Sequence, residues 1–126
     1  MVELGAALAE FPMSEEAARA GQRAGLHQSV GSVNVVRGGS QRTGMSALEL
    51  IRSGHADCLC SDYVPATLLP AVLKISQAAS LPIHQAIRVV TVHPAAAAGL
   101  GDRGVSDEGY RSDLVAFRLH RNNVLL

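Results

Sequence analysis

Tryptophan is absent from this 126-residue chain, and only two Phe and two Tyr supply rings. With 48% hydrophobic and 3% aromatic residues, the core has to be assembled from Ala, Val, Leu and Ile. Charge of one sign is also missing: eleven basic side chains balance eleven acidic ones, and no Lys/Arg run occurs. That balance argues against nucleic acid or an anionic membrane as partner. No apolar stretch approaches transmembrane length. The opening MVELGAALAEF lacks the basic start and cleavage site of a signal peptide, so a cytoplasmic protein is expected. Only two cysteines are present, Cys58 and Cys60. At that spacing they share one face of a strand, too close along the chain for an ordinary disulfide, and a core role is the simpler expectation.

The residues that are present alternate strand-like and helix-like segments. Val2 to Phe11 reads as a strand that reaches Pro12. Ser14 suits a helix N-cap, with Glu15 and Glu16 in the first turn and Gly25 as the stop. Leu26 to Val36 is a mixed stretch with room for a short strand, and 37–44 (RGGSQRTG) reads as a loop. Ser46 and Glu49 have capping-box spacing, opening a helix that Gly54 ends. HADCLCSD (55–62) reads as a strand. A long helix over ATLLPAVLKISQAA tolerates Pro70 only in its first turn. Another helix is expected over 82–92, stopped by His93-Pro94, then a last turn at AAAAGL and a terminal strand over SDLVAFRLH (112–120). Such alternation predicts an α/β fold with parallel strands.

In parallel α/β proteins chemistry gathers at the C-terminal ends of strands. Glu10 ends the first strand, Arg37 follows the second segment and Asp62 ends the third. Asp62 is the sharpest of these, because an acid closing an apolar strand should be capping, paired or bound to a metal. Thr67 is better placed than Asp62 to cap the next helix. The five histidines, His27, His55, His84, His93 and His120, include no H-x-H or helix-spaced pair, and ordinary surface or helix-end roles suit them.

The strings AEFP, VNVVRGGS, CSDYVPATLL, VTVHPAAAAGL, DRGV and SDLVAFR occur in that order. Together they resemble the C-terminal part of the phosphonate-metabolism amidohydrolases of the carbon–phosphorus lyase pathway. VRGGS and SDYVPATLL are the most specific of these strings. The resemblance implies the last strands and helices of a (β/α)8 metal-dependent-hydrolase barrel over 1–104, then the start of a terminal β segment over 105–126. The implied reaction releases diphosphate from a ribose 1-methylphosphonate 5-triphosphate. A divalent metal, zinc or similar, is the implied cofactor. Asp62 would be both metal ligand and acceptor of the proton from the attacking water. Arg37, Gly38, Gly39 and Ser40 would grip phosphate or phosphonate oxygens, Tyr63 would shape the rim, and Glu10 would face the same cavity.

The chain departs from that pattern at Gln41, where histidine is expected, at Gly44, where asparagine is expected, and at His93, which replaces an asparagine. A complete barrel takes about 250 residues, so the metal-binding histidines of earlier strands are missing from this sequence. Strands without neighbours expose unpaired backbone groups. Association with a second copy or with a separate N-terminal half is therefore expected. Two alternatives stand beside the hydrolase reading: a non-catalytic remnant or assembly domain without a metal centre, and a cyclic-amide hydrolase of the dihydroorotase or hydantoinase kind.

Overall fold

The structure, a computed structural model, describes residues 5–38, 45–120 and 123–125. Three short strands, β1 (Leu8–Glu10), β2 (His27–Gly31) and β3 (Cys58–Cys60), form a parallel sheet in the order β1-β2-β3. The fold is α/β, as expected. The strands are shorter than the sequence suggests, because only three residues of HADCLCSD enter the ladder.

Each crossover carries helix. Ser14 caps α1 (Glu15–Arg23), its hydroxyl accepting from the Ala17 N–H at 3.1 Å. Gly25 and Gly54 follow the ends of α1 and α3, as read from sequence. The capping box opens α3 (Ala47–Arg52): Ser46 accepts from the Glu49 N–H, and the Glu49 carboxylate accepts from the Ser46 N–H at 2.7 Å. Those hydrogen bonds hold the Glu49 carboxyl below its ordinary range. Pro65 starts a 3-10 turn leading into α4 (Leu68–Ala78), where Pro70 is the third residue, in the first turn.

The mixed stretch over 26–36 holds the short strand β2 and then a helix, α2 (Ser32–Arg37). Gly31 closes β2 and is the N-cap residue of α2, and Val35 is fully buried against the core. Two expectations are corrected. The helix expected over 82–92 is broken into α5 (Ile83–Ala86) and a 3-10 turn over Ile87–Val90. His93-Pro94 does not stop a helix. Both lie in the first turn of α6 (Val92–Ala97), where proline lacks only an N–H that would have no intrahelical partner. Finally, most of SDLVAFRLH is irregular. Only β4 (Arg118–His120) is strand, pairing antiparallel with β5 (Asn123–Leu125) in a separate ribbon.

The core lies on one face of the parallel sheet. Val30 and Leu59 project into it to meet Ala18, Val35, Leu50, Ile51, Val72, Ile75 and Val89 from the surrounding helices. It is aliphatic throughout, as the composition requires. The opposite face carries Leu8 and Glu10 on β1, Ser29 and Gly31 on β2, and Cys58 and Cys60 on β3, by the register Glu10↔Ser29↔Cys58. There a groove of about 300 Å3 runs between the strands and Pro94, Ala97 and Ala98 at α6.

Candidate functional site

The C-terminal ends of the strands bring several polar groups together. Asp62 stands two residues beyond β3 with a left-handed backbone, φ 48, and its side chain is exposed. It does not cap α4, whose N-terminus has no side-chain cap. Thr67 does not fill that role either; its hydroxyl donates to the Val64 carbonyl at 2.7 Å and meets Ser32 Oγ at 2.7 Å. Asp62 has an unusual partner instead. The Cys60 thiol donates to Oδ1 at 3.3 Å, and the Asp62 N–H donates back to Cys60 Sγ at 3.4 Å.

The other carboxylate oxygen lies over Gly31. A Cβ built there would sit 3.2 Å from Asp62 Oδ2, 3.2 Å from Phe11 Cε1 and 3.3 Å from Asn34 Nδ2. Glycine leaves room for this approach; a side chain there would press on the carboxylate and its neighbours by a few tenths of an ångström. Phe11 leaves β1 with φ 50, its N–H donating to the Ser29 carbonyl at 2.9 Å. Four residues of this corner, Phe11, Gly31, Asn34 and Cys60, are not evident from sequence. The glycine that closes β2 is the local signal of it.

Glu10 and Cys60 line the same groove on the non-core face. Burial first, then the Asp62 hydrogen bond and the charges of Asp62 and Glu10, raise the Cys60 thiol pKa against the Asp62 N–H bond. Tyr63 is 98% exposed and packs against no cavity wall. Arg37 does not follow a strand directly. It is the last residue of α2, about 9 Å of helix rise beyond Gly31, and among the described residues it forms no ion pair with Asp62. Gly38 is the C-cap residue of α2 with φ 72, and its N–H donates to the Asn34 carbonyl at 3.0 Å. That N–H is engaged within the end of the helix. Gly39 and Ser40, with Gln41 and Gly44, lie outside the described residues.

The N-terminal ends of the same strands hold a second cluster. His27 Nδ1 donates to Asp57 Oδ2 at 2.6 Å, and the Gln28 N–H donates to Asp57 Oδ1 at 2.9 Å. His93 Nδ1 donates to the Asp57 carbonyl at 2.8 Å. Burial alone would raise the Asp57 carboxyl, but the bonds from Gln28 and His27 outweigh it and hold it below the usual range. The neighbouring Cys58 thiol is pushed up to about 12 by burial and by Asp57.

These positions decide how a metal would fit. Among the described residues, His27, Asp57 and Cys58 are the group whose ligand atoms lie close enough to share an ion, within 4.8 Å of one another. They stand at the opposite end of the strands from Asp62, roughly 13 Å away by strand rise from His27 to Gly31. Both Asp57 oxygens and His27 Nδ1 are already hydrogen-bonded, and Cys58 stays a thiol at neutral pH. At the Asp62 end no described histidine is present: His55 Nδ1 bonds Ser53 at 2.6 Å, and His84 is exposed on α5. The described residues thus do not make up the metal centre that the resemblance implies; Asp62 is one ligand at most.

Comparison with known proteins follows the same direction as the motifs. No family model matches the chain, and no solved structure does. Alpha-D-ribose 1-methylphosphonate 5-triphosphate diphosphatase of Escherichia coli (strain K12) is 42% identical over 124 residues. The alignment takes in 97% of this chain and 33% of that enzyme, so the chain spans about a third of the length of the curated relative it matches. The match falls on a C-terminal part of that enzyme, as the motif order led one to expect.

Proposed function

We propose that this chain is the C-terminal part of a phosphonate-metabolism hydrolase built on a (β/α)8 barrel. Its substrate would be alpha-D-ribose 1-methylphosphonate 5-triphosphate, from which it would release diphosphate. The observation that carries the reading is Asp62, an exposed carboxylate at the C-terminal end of a parallel strand. It lies within a sequence 42% identical to an enzyme of that name. The parallel β-α-β order of the sheet, with helix in each crossover, supports the architecture.

In this reading Asp62 accepts a proton from the water that attacks phosphorus. Glu10 adds a second carboxylate at the neighbouring strand end. Arg37 and Ser40 grip substrate oxygens, Arg37 from the exposed end of α2. Tyr63 stands at the rim. The remaining strands, and the other ligands of any divalent metal, come from polypeptide beyond these residues. The protein accordingly acts in association with that polypeptide or with further copies of itself. The apolar side chains left uncovered at Leu8, Leu114, Val115 and Leu119 fit such an association.

The test is diphosphate release by the assembly purified through a tag on this chain. Asp62→Asn should abolish turnover with an unchanged circular dichroism spectrum; normal turnover in that variant ends the reading. Ring opening of a cyclic amide in place of diphosphate release would move the substrate class. One observation favours a second reading, a non-catalytic assembly or remnant domain: no described histidine stands beside Asp62. Elemental analysis separates the two. Stoichiometric metal that survives His27→Ala and is lost in Asp62→Asn supports the hydrolase, and a metal-free protein supports the remnant.

A further inference from the structure

Cys60 ends β3 partly buried at the groove, two residues before the chain turns through the left-handed Asp62. A thiol is a weak donor and a weak acceptor, and this one is used in both senses on the same neighbour. It donates to Asp62 Oδ1 at 3.3 Å and receives the Asp62 N–H at 3.4 Å. Gly31 lies beside the other oxygen: a Cβ built there would stand 3.2 Å from Oδ2. A carboxylate on an exposed turn would otherwise sample several rotamers.

We propose that Cys60 is a positioning residue for Asp62, tethering one carboxylate oxygen and the amide so that the other oxygen is presented at the strand end over Gly31. The functional consequence rests on the reading of Asp62 as proton acceptor; the contact itself does not. Orientation of a proton acceptor strongly affects rate, and a displacement of about 1 Å can cost on the order of a hundredfold.

Two measurements test this. The first needs no turnover: alkylation of Cys60 by iodoacetamide near pH 8, read by peptide mass spectrometry. Cys58, buried and at about 12, contributes little. In Asp62→Ala the side-chain acceptor is gone, so the untethered Cys60 should be alkylated several-fold faster than in wild type. Asp62→Asn, which keeps an acceptor oxygen, should give a smaller increase. An unchanged rate in Asp62→Ala overturns the proposal, whatever Asp62 does in catalysis.

The second measurement is kcat and KM for diphosphate release. Cys60→Ala should lower kcat about tenfold or more with KM nearly constant, and Cys60→Ser, which keeps a donor, should restore most of it. Wild-type kcat in a folded Cys60→Ala variant overturns the positioning role while leaving the Asp62 reading intact. Full turnover in Asp62→Asn sinks that reading instead, and with it the purpose of the tether.

Discussion

The two ends of the parallel strands treat an aspartate in opposite ways. At the N-terminal end, Asp57 is half-buried with both oxygens hydrogen-bonded, to His27 and to the β2 backbone, while His93 binds its carbonyl. At the C-terminal end, Asp62 is exposed, and its described hydrogen bonds run only to Cys60. The first arrangement joins β2, the start of β3 and α6 through links of 30 and 36 residues of sequence. The second leaves Oδ2 without a described hydrogen bond, next to Cys60, which lines the groove. A saturated carboxylate stabilises; an under-coordinated one is available for chemistry.

The strongest test of the contrast exchanges the two effects. Asp62→Asn should abolish diphosphate release without moving the urea midpoint, whereas Asp57→Ala should leave the strand-end chemistry in place and destabilise the fold. The cost at Asp57 should be about 1–3 kcal/mol, because the Gln28 N–H and His27 lose their acceptor; urea titration measures it. Equal stability losses at both positions would break the distinction.

A subtler consequence concerns pH. The folded Asp57 pKa is depressed, so its contribution is fully present above the unfolded value of about 3.9 and disappears as pH falls through the folded value. Wild type should therefore lose stability as pH drops below about 4, and Asp57→Asn should show a shallower acid limb in thermal melts.

The smallest expected effect is at Gly31, whose φ of −71 suits alanine. Gly31→Ala should stay within about 1 kcal/mol of wild type in stability. Its new methyl, at 3.2 Å from Oδ2, should push the Asp62 carboxylate aside and reduce kcat several-fold. An unaffected kcat would mean that the carboxylate needs no such wall.

Local chemistry was the legible part of this fold. Ser14, the Ser46–Glu49 box, the glycines closing α1 and α3, and first-turn Pro70 all act within a few residues of themselves, and the structure uses them as read. What sequence reading missed depends on contacts far along the chain. SVNVVR has the β-branched content of a strand, yet Val35 becomes helical because the core formed with Val72 and Ile75 lies on that side. The His27–Asp57 bond spans thirty residues and leaves no pattern in either segment. Asp62 was located by its place after an apolar run, but its thiol partner was read as core, since alternating cysteines on a strand usually are. Arg37 was placed at a strand end because the helix between it and Gly31 was not foreseen.

Residue 62 carries one more implication, for how this chain tolerates change. A left-handed backbone at a non-glycine residue costs on the order of 1 kcal/mol, and glycine at that position would recover it. Asp62→Gly should thus melt higher than the native chain while being chemically silent. In a mutant library screened for thermal resistance, variants lacking this acid should accumulate; in one screened for turnover, they should vanish.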